Sequence, residues 1–284
     1  MARLIILIML LFIMLFSVVA TITPGSDHNG QKNPVVSFIR ELALPFSRVG
    51  RIIPGLSKAL NGTGVKVPNV TKLKSKEPES LIYADRDLSG SIFSNDILPG
   101  ENFSGAILTD AQFAGTLLDE GIFENAQGER VNMRGVRLSD ANLNAIYFPG
   151  ADFTKADIRS SSARAAILTD AIFTEADISF ASFSGATMRE TNFDGAYATG
   201  AVFVDTKLQS AQFQNTDLTG VRFEGADLSN TDFTGADMKA VRLDGAILDG
   251  ADLSAARNLT VEQLAVACAN DATKLPEGIP ATRC

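Results

Sequence analysis

The chain has 284 residues, of which 45% are hydrophobic, 20% charged and 7% aromatic, and this composition is typical of folded rather than disordered proteins. Its one histidine is His28 and its cysteines are Cys268 and Cys284, which all but excludes a histidine-based triad, a Cys/His zinc site and an iron–sulfur cluster. The net charge of −8 argues against a general nucleic-acid binder.

Residues 1–22 combine a charged start with a long apolar run. Arg3 precedes an unbroken apolar stretch from Leu4 to Phe16, and the run resumes after Ser17 as far as Ile22. This pattern predicts either a secretory signal ending near Ala20 or an uncleaved transmembrane anchor. The predicted membrane segment, residues 4–22, includes Leu4, Ile8, Leu11, Leu15 and Val19. Both interpretations send the rest of the chain across a membrane.

Residues 23–80 are predicted to be a linker that contains short basic amphipathic helices. Apolar residues recur at three- and four-residue steps from Val35 to Leu60, with Pro45 and Pro54 as breaks and basic residues in between. Such helices can lie on an anionic membrane surface or cover the open end of the following domain, and we favour the second interpretation. The residues that follow, up to 80, are rich in lysine and predict a solvated tether.

Charge is unevenly distributed along the chain. Residues 1–80 hold 10 Lys/Arg and 4 Asp/Glu, whereas residues 81–258 hold 13 Lys/Arg and 26 Asp/Glu. A basic N-terminal segment therefore precedes an acidic body, and this asymmetry indicates different partners for the two parts.

Residues 81–258 are one long internal repeat with a period of five. Of the 34 positions at five-residue steps from Leu88 to Leu253, all are Leu, Ile, Met or Phe except Gly128, Ala163 and Ala198. The residue two places earlier is usually small, and the residue one place earlier is often Asp or Asn. This period fits neither a helix nor a strand, so the chain must turn a corner at each repeat.

Four such corners bring the chain back to its starting side, so that one coil takes about 20 residues and successive coils stack at sheet spacing. Phe alternates with other apolar residues at every second repeat, as in Phe103, Leu108 and Phe113. We therefore expect Phe on two opposite walls of the core.

The repeat unit resembles that of the pentapeptide-repeat proteins. It carries their A(D/N)LXX pattern, as at Ala226–Asn230 and Ala251–Ala255, and the resemblance covers roughly 170 residues. It implies an all-β solenoid, a right-handed quadrilateral β-helix, and a binding or scaffold protein rather than an enzyme. Some members of that family are exported to the periplasm or the thylakoid lumen, and a few cytoplasmic members resemble duplex DNA and bind type II topoisomerases. The small residues at Gly128, Ala163 and Ala198 depart from the pattern and predict thin or kinked places in the rod.

Residues 259–284 are predicted to form a C-terminal cap. Thr260 and Gln263 have the spacing of a capping box, and the apolar residues from Leu264 onward predict a short helix that plugs the last coil. Beyond a membrane, Cys268 and Cys284 are expected to form one disulfide, with two thiols as the alternative.

No motif in the chain indicates catalysis, a metal, a cofactor or a small-molecule substrate, because the regularly spaced carboxylates are a feature of the repeat. Outward apolar residues are the better functional signal. Together they make up the candidate interaction surface. The residue numbers of four of them differ by multiples of 20, so these four share one wall: Ile107, Tyr147, Ile167 and Ile247. The other four surround the first coils: Ile92, Ile97, Leu117 and Ile122. Phe180 also points outward. The alternative is that β-favouring residues are merely tolerated on a sheet face.

A basic cluster lies midway along the repeat, at Arg134, Arg137, Lys155 and Arg159. We expect it to balance nearby carboxylates rather than to bind an anion.

Two functional hypotheses follow. The first is a membrane-tethered or exported scaffold, in the periplasm or thylakoid lumen, that docks protein partners of a membrane-associated complex and binds no nucleic acid. The second is an acidic rod that mimics DNA and binds a type II topoisomerase, and it is disfavoured because the N-terminus predicts export.

Overall fold

The computed structural model describes residues 83–278. The predicted membrane segment, the linker and Cys284 all lie outside these residues. Within the described part of the chain, no helix has both the length and the apolarity needed to cross a membrane.

The repeat folds as a four-sided β-solenoid, as its periodicity predicts. Every fifth residue from Asp87 to Asp237 forms a parallel β-bridge with the residue 20 positions later. The bridges define four faces, which we number in chain order by their first residues: face 1 from Asp87, face 2 from Ile92, face 3 from Ile97 and face 4 from Asn102. Each strand is a single bridging residue, so the faces are built from ladders between coils and not from long strands.

Each corner of the solenoid is a β-turn with a left-handed residue in it. At one corner the Ala106 amide donates to the Phe103 carbonyl at 3.1 Å, and Gly105 has a φ of +65°. Every fifth residue from Asp85 to Gly250 has a positive φ, between +53° and +71°, although 20 of these residues are not glycine. The turn geometry is therefore imposed by stacking of the coils, which compensates for the backbone strain at these residues.

The core contains two columns of aromatic rings on opposite faces, as the sequence predicts. Rings one coil apart stack, as Phe193 and Phe213 do at a centroid distance of 4.6 Å, whereas rings on opposite faces meet edge to face, as Phe193 and Phe203 do at 5.7 Å. Both geometries are favourable for aromatic pairs. The columns on faces 2 and 4 are interrupted near Met133 and Ala163.

Buried threonines tie one coil to the next. The hydroxyl of Thr216 donates to the Phe193 carbonyl at 2.8 Å, and that carbonyl also accepts the turn bond from the Ala196 amide. Thr116, Thr191, Thr206 and Thr231 bond in the same way to the carbonyl 23 residues earlier. These hydroxyls replace alanine methyls at the small position without leaving a buried polar group unsatisfied.

The three departures from the pattern do not interrupt the hydrogen-bond ladder. The amides of Gly128, Ala163 and Ala198 donate to the next coil at 2.8, 2.7 and 2.9 Å. At Gly128 the coils are so close that a Cβ atom would lie 2.7 Å from the carbonyl carbon of Leu108. The ladder is therefore continuous at all three positions, and the thin or kinked places stay a prediction.

After the last full coil, a short helix, α1, spans Val261–Leu264. Its capping box is confirmed: the Thr260 amide donates to Gln263 Oε1 at 2.9 Å, and the Gln263 amide donates to Thr260 Oγ1 at 3.3 Å. The side-chain amide of Gln263 also donates to the carbonyls of Met238 and Val241, at 2.9 Å each. Leu264 is buried, and Cys268 and Lys274 then form bridges that extend faces 1 and 2.

Candidate docking surfaces

The four apolar residues predicted to share one wall do lie on face 1. Ile107, Tyr147, Ile167 and Ile247 have exposed fractions of 46, 41, 40 and 39%. Only Tyr147 and Ile167 are neighbours, joined by a bridge, because Gln127 separates them from Ile107 and three polar or charged residues separate them from Ile247. The predicted stripe is thus one adjacent pair with an outlier at each side.

The structure adds a residue to this pair that sequence reasoning missed. Ile172 lies on face 2, one corner after Ile167 in the same coil, and is 38% exposed. In the sequence we compared residues whose numbers differ by multiples of 20, and such residues lie on the same face. Ile172 was therefore missed, because it follows Ile167 by five residues and lies on the next face. We call Tyr147, Ile167 and Ile172 the mid-rod apolar patch. The bridge partner of Ile172 on one side is Asp152, which pairs with Arg134 at 2.8 Å, so the patch has a polar rim.

The remaining predicted surface residues surround the first described coils. Ile92 and Ile97 are 76% and 63% exposed, whereas Leu117 and Ile122 in the following coil are half-buried. Ile97 and Leu117 are bridge partners on face 3, and Ile122 lies on face 4. Together with Ile107 they form an apolar collar that spans all four faces.

Two exposed aromatic residues lie on the side away from the mid-rod patch. Phe180, at the corner between faces 3 and 4, is 65% exposed, as its outward position predicts. Tyr197 on face 3 is 59% exposed. In the sequence we followed the outward residues of face 1, and Tyr197 was missed because it is not a multiple of 20 residues from any of them.

The basic cluster balances neighbouring carboxylates, as predicted. Arg134 pairs with Asp152, and Arg137 pairs with Asp119. Lys155 contacts Glu175 at 3.3 Å, and Arg159 contacts Asp157 at 2.7 Å. The four cations therefore already have anionic partners on the protein. They do not form an open anion site.

The carboxylates of the repeat are occupied by the turns that follow them. Asp152 Oδ1 accepts from the Thr154 amide at 2.9 Å, and the same contact recurs at Asp217, Asp227, Asp232 and Asp252. Partial burial opposes ionisation of Asp152, but hydrogen bonds from Thr154 and Arg134 hold its pKa below the ordinary value. A lowered pKa suits an acceptor that stays ionised at neutral pH, and it does not suit a group that exchanges protons there.

Among residues 83–278, no group of three or more His, Cys, Asp or Glu side chains is placed to hold a metal ion. Cys268 is half-buried at the end of face 1, where its amide donates to the Ala246 carbonyl at 2.8 Å. Its predicted partner, Cys284, lies outside the described residues, so the disulfide stays a prediction.

Comparison with solved structures finds similarity to pentapeptide-repeat folds. The chain is 19% identical to the plasmid-mediated fluoroquinolone resistance protein QnrB1, covering 64% of this chain and 92% of that one, with a TM-score of 0.38. It is 22% identical to HetL, a pentapeptide repeat protein involved in heterocyst differentiation regulation from Nostoc sp. strain PCC 7120, covering 58% and 91%, with a TM-score of 0.28. It is 30% identical to a pentapeptide repeat protein from the Arabidopsis thaliana thylakoid lumen, covering 45% and 72%, with a TM-score of 0.22.

Comparison with curated proteins finds no match. Two family models do match: one described as a pentapeptide repeat region at residues 176–253, and one described as pentapeptide repeats (8 copies) at 87–125, 106–144, 132–170 and 151–189. Together they run over the same coils that the bridges define, and the chain belongs to the pentapeptide-repeat family.

Proposed function

We propose that this protein is a non-enzymatic scaffold, exported or membrane-tethered, whose solenoid walls dock protein partners of a membrane-associated assembly. The observation that carries the proposal is the mid-rod apolar patch: Tyr147 and Ile167 are bridge partners on face 1, Ile172 lies one corner further on face 2, and all three are 38–41% exposed. A tyrosine among aliphatic side chains with a polar rim is the composition of an interface hot spot.

The site chemistry supports binding over catalysis. The carboxylates accept hydrogen bonds from turn amides, and the clustered arginines pair with carboxylates. None of these groups is arranged as an acid–base pair. The apolar run at residues 4–22 supports a location beyond a membrane, in the periplasm or thylakoid lumen.

The test is to solubilise native membranes in mild detergent and to size the assembly that contains the protein, with its co-migrating partners identified. We expect a large complex for the natural chain. Ile167→Lys should release the protein from it, because a charge in the patch opposes burial against an apolar partner. Ile247→Lys is the matched control, since Ile247 has nearly the same exposure on the same face but lies outside the patch.

Two outcomes would contradict the proposal. One is a protein that runs alone, and the other is an assembly that Ile167→Lys leaves intact. Mass spectrometry of the same sample distinguishes an anchor from a cleaved signal, because a mature chain that lacks residues 1–20 was processed.

A second candidate function rests on the acidity of the body, where 26 Asp/Glu outnumber 13 Lys/Arg in residues 81–258. An acidic rod could occupy the DNA site of a type II topoisomerase. Inhibition of supercoiling by the purified protein would support this function, and the absence of inhibition would dismiss it.

We also infer that residues 259–284 cap the solenoid and that a Cys268–Cys284 disulfide fastens the cap. The burial of Leu264 against the last coil and the bridge of Cys268 to Ile247 support a cap. Alkylation of the unfolded, unreduced protein should leave both cysteines unmodified, whereas modification of two thiols would refute the disulfide.

A further inference from the structure

Phe180 is an aromatic residue at a corner where the fold does not require one. It is the most exposed aromatic side chain among residues 83–278, at 65%, and its φ is +60°. A bulky side chain at positive φ is an outlier, and most corner residues here are Gly, Asn, Asp or other small or polar residues. Neither core packing nor turn geometry accounts for the ring, so it is a candidate for contact with a partner.

The ring is held against the next coil. A Cβ atom on Gly200 would lie 2.8 Å from both Cδ1 and Cε1 of Phe180, so the absence of a side chain at Gly200 makes room for the ring. The Phe180 amide donates to the Thr199 carbonyl at 3.0 Å, which fixes the backbone beneath it. The ring is thus supported on one side and open to solvent on the other.

Tyr197 presents a second ring in that next coil, three residues before Gly200. It is 59% exposed on face 3, and its bridge partners on either side are Asp177 and Asp217. We call Phe180, Tyr197, Asp177 and Asp217 the acidic aromatic ridge. The two rings lie on either side of the Thr199 corner, and the two carboxylates flank the tyrosine along the rod.

Both carboxylates are fixed in position. Asp217 accepts from the Thr199 hydroxyl at 3.1 Å and from the Thr219 amide at 3.0 Å. Asp177 accepts from the Ser179 amide at 3.1 Å. Partial burial opposes ionisation of Asp217, but these hydrogen bonds hold its pKa below the ordinary value, so it is charged at neutral pH.

The charges around the ridge favour a cationic partner. The face positions from 177 to 237 are three aspartates and Tyr197, with no lysine or arginine among them. Arg159 lies 3.5 Å from Asp177 but pairs more closely with Asp157, at 2.7 Å. Lys239 and Arg257 lie toward the C-terminal end of the same side, beyond Asp217, and the charge of Arg257 helps to lower the pKa of Asp217.

We propose that the acidic aromatic ridge is a docking site for an extended, basic segment of a partner protein. Lysine or arginine side chains of that segment pack on the rings of Phe180 and Tyr197, while their charges pair with Asp177 and Asp217. An apolar segment would strip water from these charged carboxylates and supply no cation in exchange, and a nucleic acid would be repelled by them.

The proposal rests on the scaffold function but concerns a second surface. The ridge lies at the corner between faces 3 and 4, and the mid-rod apolar patch lies at the diagonally opposite corner, between faces 1 and 2. The two surfaces therefore do not overlap, and one rod has room for a basic partner and an apolar partner.

The test measures binding of a fluorescein-labelled peptide of alternating glycine with lysine or arginine, by anisotropy, to the full-length protein in mild detergent. A peptide with glutamate in place of the basic residues is the reference. We expect the basic peptide to bind, and Phe180→Ser and Tyr197→Thr each to weaken its binding roughly three- to tenfold. Serine and threonine occur at equivalent positions, at Ser160 and Thr187, so both variants are compatible with the fold.

The matched control is Tyr147→Thr, which removes an exposed tyrosine from face 1 and should leave peptide binding unchanged. The double variant Asp177→Asn/Asp217→Asn should weaken binding and flatten its dependence on salt concentration. Equal binding of the glutamate peptide, unchanged binding by both ring variants, or an equal loss in Tyr147→Thr would overturn the inference.

The two proposals fail separately. Loss of the native assembly in Ile167→Lys without any peptide binding refutes the ridge and leaves the scaffold function in place. If the protein runs alone in membranes but binds the basic peptide at the ridge, the scaffold function is refuted and the ridge stands as a binding site.

Discussion

The side-chain oxygen of Asn215 lies 2.7 Å from the place that a Cβ atom would take on Gly235, one coil further along the rod. The same relationship joins Asn95 to Gly115 at 2.7 Å and Asn230 to Gly250 at 2.5 Å. At these three corners a left-handed Asn thus folds over the corner residue of the next coil, and that residue is glycine. The relationship is local, because Asp110 and Asn125 are followed one coil later by Arg130 and Ala145. Phe180 and Gly200 show the same relationship, with a ring in place of the amide.

Gly235→Ala should therefore destabilise the rod more than Gly220→Ala. Both glycines have a positive φ, +71° and +68°, but a Cβ on Gly220 meets nothing within 4 Å. We expect Gly220→Ala to cost about 1 kcal/mol through backbone strain alone and Gly235→Ala about 1 kcal/mol more, because Asn215 must move. Urea unfolding checks both. In an Asn215→Gly background the difference should vanish, and its persistence would refute the proposed clash between Asn215 and a Cβ atom on residue 235.

Gly128→Ala should destabilise the protein, although alanine is the small residue that the repeat accepts at two other departures. A Cβ on Gly128 would lie 2.7 Å from the Leu108 carbonyl carbon and 2.9 Å from its oxygen, and these backbone atoms cannot rotate away. We expect a loss of about 2–3 kcal/mol from overpacking. Gly245→Ala is the control: nothing lies within 4 Å of its Cβ position, so we expect only the backbone strain of a φ of +67°, about 1 kcal/mol. Equal effects of the two changes would contradict the prediction.

Thr216→Val should cost about 1 kcal/mol, the value of one buried hydrogen bond. The shape is conserved, and the Phe193 carbonyl keeps its turn bond from Ala196, so the loss of the 2.8 Å hydroxyl contact is the main effect. The reverse change, Val221→Thr, should be tolerated, because the Ala198 carbonyl stands at the equivalent place 23 residues earlier. Unfolding of both variants in urea checks the pair, and a large loss in Val221→Thr would contradict this account.

The Asp252–Lys274 pair should stabilise the C-terminal segment in a pH-dependent way. The Lys274 ammonium, 2.8 Å from Asp252 Oδ2, makes the largest contribution to lowering the pKa of Asp252 from 3.8 to about 2, and hydrogen bonds from Ser254 add to it. A carboxyl with a depressed folded-state pKa contributes stability above its unfolded value that is lost as pH falls toward the folded value. The stability difference between the natural chain and Lys274→Met should therefore be full above about pH 4 and shrink toward pH 2.

Thermal unfolding at a series of pH values measures this difference. Lys239→Met removes the same charge from a residue that forms no ion pair within residues 83–278, and it should show no such pH dependence. A difference for Lys274→Met that stays constant from pH 5 to about pH 2 would rule out the linkage.

The sequence alone determined the solenoid, its 20-residue coil, the opposed Phe columns and the capping box at Thr260. Each of these depends on residues at fixed spacing, and a repeat whose neighbours are always 20 positions apart turns sequence distance directly into spatial contact. The same 20-residue spacing allowed the sequence to place four outward residues on one face: Ile107, Tyr147, Ile167 and Ile247.

Only the tertiary structure decided which of those residues touch and what surrounds them. Ile172 lies one corner after Ile167, and Tyr197 lies in the coil that follows Phe180, on the same side of the rod. Neither pair is separated by 20 residues, so neither shows as a neighbour in the repeat pattern. The sequence pattern marks Gly128 as a departure, but only the structure shows its cause, which is the close approach of the Leu108 backbone to the place of a Cβ atom. Periodicity specifies the ladder, whereas the surface depends on how individual side chains pack over the corners.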